Sequence, residues 1–179
     1  MSSLAVIALI LGVLALGGGF LAAKAPELVR RGMEKYPRSV WPGRILLAID
    51  MGWAAYAVNL MHLGGFDAWK VHLMWLTPVL IIIGAVYLDE MLSVRALGGF
   101  LLLAAGSMLD AARWHPSLWR LVITVIAYLW IVAGLFFVLE PWWFRRVMLR
   151  FQSLPAIRTA GISKAVFGVG LILLALLVY

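Results

Sequence analysis

The chain contains no cysteine and few charged residues. Without thiols there are no disulfides, thiolate metal centres, c-type haem attachments or cysteine nucleophiles, and the redox compartment stays open. Asp, Glu, Lys and Arg make up only 13% of the 179 residues, about half the share in a soluble domain. Acids are the scarcer sign, 8 Asp and Glu against 15 Lys and Arg. Catalytic signatures are also missing. No Gly-Lys-Ser/Thr phosphate loop and no Gly-x-Ser-x-Gly elbow occurs. The apolar runs hold no Ser–His or paired-carboxylate arrangement, and no interior lysine for a retinal Schiff base. Nothing recommends an enzyme.

What fills the chain instead is apolar: 65% hydrophobic residues and a mean hydropathy of +1.03. That composition predicts an all-α, polytopic transmembrane helical bundle in one membrane domain. Charges mark out six spans. Residues 1–23 are uncharged, 45–66 carry only Asp50, and 71–88 and 121–139 are clean. Residues 96–109 and 165–179 are shorter, and reach bilayer length if flanking Arg or Lys side chains snorkel to the interface. The first run lacks the positive leader of a secretory signal and is expected to be retained.

Twelve of the 15 Lys and Arg then fall on one side, which short loops rich in these residues mark as cytoplasmic. Both termini are expected outside, and the spans form three out–in–out hairpins. A bacterial inner membrane suits such lean loops. The net charge of +7 therefore points to lipid headgroups and not to nucleic acid.

Two cytoplasmic segments have helical periodicity. In residues 26–36, Leu28, Val29, Met33 and Tyr36 share one face, opposite Glu27, Arg30, Arg31, Glu34 and Lys35. Residues 141–151 repeat the design at a shift of 115: Pro26 matches Pro141, Arg30-Arg31 matches Arg145-Arg146, and Met33 matches Met148. Both read as amphipathic helices lying on the membrane. Arg30, Arg31, Lys35, Arg145, Arg146 and Arg150 are the expected contacts to anionic headgroups. The chain divides accordingly into a hairpin repeat at 1–65, a middle hairpin at 66–117 and a second repeat at 118–179. This unit of apolar span, proline, basic helix and glycine-containing span resembles small two-span bacterial inner-membrane proteins. The likeness carries no functional residue across.

Small residues offer packing faces. Ala15, Gly19 and Ala23 recur at intervals of four in the first span, and Gly98-Gly99 and Ala104 to Ser107 mark the fourth. Thr77-Pro78 should kink the third. Most of the nine tryptophans fall at span ends as an interfacial belt, whereas Trp53 and Trp130 lie deeper, as core fillers.

Two candidate sites emerge. Asp50 is a carboxylate about 9 Å along its span from Arg44, and burying it charged costs about 2.5–3.5 kcal/mol. It reads either as a proton or cation site or, preferably, as a bundle lock paired with Arg44 or Arg95. The second is the outer face, where His62, His72 and His115 fall together with Asp67 and Asp110, a donor set suited to a divalent metal or, through one imidazole, a haem- or chlorophyll-type pigment. Tyr56, Asn59 and His62 form a stripe pointing there. No metal-binding spacing such as His-x-x-x-His supports that set.

The leading expectation is a non-catalytic accessory or scaffold subunit of a larger membrane complex, self-associating or bound to other subunits, or a lipid-associated organiser. A small transporter or channel using Asp50 is the alternative, and a pigment-, haem- or metal-binding subunit the second.

Overall fold

The computed structural model describes residues 2–87, 91–150 and 153–179, without the side chains of Arg38, Leu149 and Arg150. Among the described residues there is no strand. Eight α-helices run in order: α1 (Ser3–Lys24), α2 (Pro26–Lys35), α3 (Val40–Leu60), α4 (Lys70–Tyr87), α5 (Leu92–Arg113), α6 (Arg120–Leu139), α7 (Trp142–Arg150) and α8 (Leu154–Leu177). Short 3-10 turns, Tyr36–Arg38 and Gly64–Trp69, precede α3 and α4.

Among the described residues, five segments are long and apolar enough to cross a bilayer: Ser3–Lys24, Gly64–Tyr87, Leu92–Arg113, Arg120–Leu139 and Leu154–Leu177. This points to a membrane protein. The second expected span is the one that falls short. α3 ends at Leu60, six residues before the expected boundary, and Arg44, Asp50 and Asn59 dilute its apolar character. The two spans that looked short are full length. α5 begins at Leu92 and α8 at Leu154, so Arg95, Arg158 and Lys164 belong to helices and not to loops. α4 runs through Pro78, with the Thr77 hydroxyl donating to the Leu73 carbonyl one turn back.

The core is built from helix pairs in backbone contact. α1 and α8 run antiparallel, with Gly12 against Gly168 and Gly19 against Gly161. A Cβ on Gly12 would stand 2.9 Å from the Gly168 carbonyl oxygen, so only glycine permits this approach. α5 and α6 repeat the device, Gly98 meeting Gly134 in the same manner. The two pairs join through Leu4, Ala8, Ala105, Met108, Ala112, Ile123, Ala127, Leu171 and Ala175, one continuous buried cluster. Trp130 packs against it, and Trp53 sits edge-on to Phe100 at 5.7 Å between ring centroids.

α3 lies parallel to α5, with Gly43 against Ser93 and Asp50 against Gly99. α4 lies antiparallel on the far side of α3, where Gly84 admits Leu47. Extensive packing therefore joins α1 to α8, α5 to α6, and α3 to both α4 and α5. None of these pairs is one of the expected out–in–out hairpins. Adjacent helices associate across the connections at the histidine-bearing end instead, while at the other α2 stands between α1 and α3 and α7 between α6 and α8.

Candidate functional site

The two surface helices form within a residue of the expected bounds. Proline opens α2, Glu27 occupies its first turn and Lys35 its last, an order that complements the helix dipole. No residue of α2 is buried. Arg31 and Lys35 are exposed, and Arg30 is half-buried with its Nε lacking a hydrogen-bond partner. Arg31 lies 3.8 Å from Glu27, both well exposed, so this ion pair adds little stability. In α7 the anchor is Phe144, buried edge-on against Phe137 and tilted toward Tyr36. Arg145 and Arg146 are exposed, and the Arg146 guanidinium lies over the rings of Trp142 and Trp143, at 4.5 and 5.5 Å. That geometry places a cation on interfacial aromatics. The side chain of Arg150, and Phe151, the last position of the expected helix, lie outside the described residues.

Between the two basic helices lies a polar junction that the sequence reading missed. The Tyr36 hydroxyl donates to the Ser93 carbonyl at 2.9 Å, and the Ser93 hydroxyl donates to the Ser39 carbonyl. Ser93 has no exposed surface. Gly43 lets the α5 backbone approach α3 there. Burial pushes the Tyr36 phenol above its ordinary pKa of 10, and the charge of Asp50 pushes it further in the same direction. Ser39 follows Tyr36 closely, but Ser93 stands 54 residues beyond Ser39 on another helix, so no local pattern marks the junction in advance.

Asp50 sits on α3 two turns beyond Gly43, 3% exposed, with its carboxylate against Gly99. Its Oδ1 has no hydrogen-bond partner, and among the described residues no ion pair reaches it. The expected lock to Arg44 or Arg95 is thus not formed. Arg44 donates its Nε to the Ala85 carbonyl on α4 at 3.2 Å, and the Nε of Arg95 is itself buried without an acceptor. Asn59 donates to Met74 Sδ.

At the opposite end the histidines do not converge. His62 follows the end of α3 and is exposed, as is His72 in the first turn of α4. His115 lies in the α5–α6 connection, its Nδ1 accepting from the Ser117 N–H and its ring edge-on to Tyr179. Asp67 is engaged by Lys70 at 2.7 Å and by the Leu63 N–H, and Asp110 pairs with Arg113. Among the described residues no three His, Asp or Glu gather closely enough to hold a metal. Sharing a depth in the bilayer does not bring residues together around the bundle. Tyr56 is exposed, and His62 lies beyond the helix that was to align it with Asn59.

A second feature lies where α1 gives way to α2 beside the start of α8. An open groove of ≈ 590 Å³ is lined there by Lys24, Arg31 and Arg158, with Glu27 and the apolar Pro26, Leu28 and Leu154. In sequence, Lys24 and Arg158 are simply two of the twelve basic residues expected on the cytoplasmic side. Only the antiparallel register of α1 and α8 brings them to one place. Comparisons with protein-family models, with curated proteins and with solved structures return no match, so function rests on these residues.

Proposed function

We propose that this protein is a non-catalytic, polytopic membrane protein that organises anionic lipid at the cytoplasmic surface, alone or as an accessory subunit. With α3 as a sixth crossing, chain order passes out–in–out three times, and both termini face away from the cytoplasm, in a bacterial inner membrane. The observation carrying this reading is the clustering of exposed Arg31, Lys35, Arg145 and Arg146 on two short amphipathic helices at one end of the bundle. Short basic segments of this kind favour the cytoplasmic face and its anionic headgroups. Of the two forms of the leading expectation, the lipid-associated one gains. The glycines at positions 12, 19, 98, 134, 161 and 168 are spent on contacts inside the chain, leaving fewer small-residue faces for a partner.

Native mass spectrometry of protein extracted in gentle detergent tests the reading. Retained lipid should be anionic in preference to zwitterionic, and the preference should weaken when Arg31, Lys35, Arg145 and Arg146 are changed to Gln. Equal retention of both lipid classes overturns it.

One observation favours a second reading, a small transporter. Asp50 is a buried carboxylate with an unpartnered oxygen, and intramembrane carboxylates mark proton and ion pathways. Proteoliposomes should then show cation or proton flux that Asp50→Asn abolishes. Flux that survives the substitution removes this reading.

A further inference from the structure

We propose that the groove between the α1–α2 bend and the first turns of α8 is a discrete site for the phosphate of one anionic phospholipid. This rests on the lipid-organising reading and sharpens it from a charged surface to a stoichiometric pocket.

The groove follows from how α1 and α8 pack. Above it the helices are drawn together, Gly19 against Gly161 and Ala22 against Gly161, with no room for a side chain. The chain leaves this contact at Ala25, whose backbone (φ −130°, ψ 61°) ends α1 and redirects the chain into α2. Past this bend Pro26, the first residue of α2, and Leu154, the first residue of α8, line the wedge that forms the groove.

Three cations reach this wedge from three elements: Lys24 from the last turn of α1, Arg31 from α2 and Arg158 from the second turn of α8. The single carboxylate there, Glu27, is 3.8 Å from Arg31, too loose and too exposed to neutralise it. Lys24 and Arg158 take part in no ion pair among the described residues, though the Lys24 ammonium lies 5.9 Å from the Phe20 ring centroid. α8 begins here without a side-chain cap from Ser153, and since Pro155 carries no N–H and Ile157 donates to the Ser153 carbonyl, the Leu154 and Ala156 N–H groups are the donors left at its positive end. Guanidinium groups with uncapped helix N–H donors form a phosphate-binding combination.

The depth of the groove favours a lipid over a free anion. α1 and α8, at 22 and 24 residues, are about 33 and 36 Å long, matching the hydrocarbon core with a little to spare. Their ends at Lys24 and Leu154 consequently stand at headgroup level. The apolar lining of Ala23, Ala25, Pro26 and Leu154 suits the glycerol and upper acyl carbons, and exposed Leu28 continues that surface along α2.

The test measures binding of phosphatidylglycerol, phosphatidylcholine and soluble glycerol phosphate to the full-length protein in detergent, by native mass spectrometry. The unaltered protein should hold one phosphatidylglycerol, and glycerol phosphate should not displace it. The double variant Lys24→Gln, Arg158→Gln should lose at least about tenfold in affinity, Arg145→Gln, Arg146→Gln on α7 should lose less than the groove variant, and Arg113→Gln at the histidine-bearing end should lose none. Arg158→Lys keeps the charge and should retain most of the binding, which separates loss of charge from loss of fold. If the groove and α7 variants weaken binding equally, the groove is overturned while the general anionic preference stands. If glycerol phosphate competes at similar affinity, the lipid assignment is overturned. If the unaltered protein shows no anionic preference, the broader reading falls with it.

Discussion

Gly19 and Gly161 face each other across α1 and α8 so closely that a Cβ on either would lie under 3 Å from the carbonyl oxygen of the other. Gly19→Leu or Gly161→Leu should therefore force the helices apart. Overpacking of a tight core costs about 1–3 kcal/mol, and backbone partners yield less readily than side chains. Thermal unfolding in detergent should fall for both variants. Gly17→Leu is the control, since nothing lies within 4 Å of a Cβ there, and its stability should be unchanged.

The same register admits a covalent check. Ala5 and Ala175, both buried, continue the Gly12–Gly168 and Gly19–Gly161 series at steps of seven. The chain has no cysteine of its own, so Ala5→Cys with Ala175→Cys should cross-link on oxidation without background. Ala5→Cys with Gly170→Cys, off the contact face, should not.

Asp50 makes a directional prediction about stability. A carboxylate locked to arginine loses about 3–5 kcal/mol when neutralised, because a buried charge is left behind. The unpartnered Asp50 Oδ1 predicts the opposite. Asp50→Asn should leave the unfolding temperature equal or higher, and a large drop would restore the lock.

The Tyr36 hydroxyl contributes a bond to the Ser93 carbonyl, so Tyr36→Phe should cost about 1 kcal/mol, read by thermal unfolding. Its titration adds a pH dependence. Burial first, and the Asp50 charge second, hold the folded-state pKa above 10. The stabilisation linked to the neutral phenol is therefore complete below pH 10 and is lost as pH rises through the folded pKa. Ultraviolet absorbance difference between the unaltered protein and Tyr36→Phe should show tyrosinate forming above pH 10. Asp50→Asn should shift that curve downward, because it removes one of the two causes.

Arg120 closes the α5–α6 connection by donating from Nη1 to the carbonyls of Arg113 and His115. Arg120→Ala leaves both acceptors without this partner. The connection should loosen, with hydrogen exchange rising at residues 114–119 while α1 and α8 stay protected.

The parts of the fold written in local pattern were legible in the sequence. Proline at the first helical position and a 3.6-residue alternation of Arg with Leu, Val and Met placed α2 and α7 almost to the residue. What charge counting obscured were the spans themselves. Treating Arg158 and Lys164 as loop residues started α8 eleven positions late, since a long cation can lie along a helix and still reach the interface. Helix partners were harder still. The four-residue spacing of Ala15, Gly19 and Ala23 drew attention to one face, yet the buried face of α1 is Ala5, Ala8, Gly12, Gly19 and Ala22. That choice depends on glycines in α8, far along the chain. The candidate sites divided in the same manner. Asp50 stood out because an acid in an apolar run is conspicuous in any context, whereas the Lys24–Arg158 groove exists only through a tertiary register. The outer histidines, expected together, do not gather into a three-donor metal cluster among the described residues for the converse reason, as hydropathy gives depth and says nothing of position around the bundle.

The pairing of α1 with α8 also bears on how the chain is made. α1 is made well before its main packing partner α8, with 129 residues between Lys24 and Leu154. At about 5–20 residues per second, α1 stands without its partner for on the order of ten seconds. Throughout that time its glycine face is open to lipid, to an insertase or to a neighbouring nascent copy. Assembly of this pair is thus held back until α8 has been made, and a chain arrested before α8 carries a complete docking face with nothing to close it.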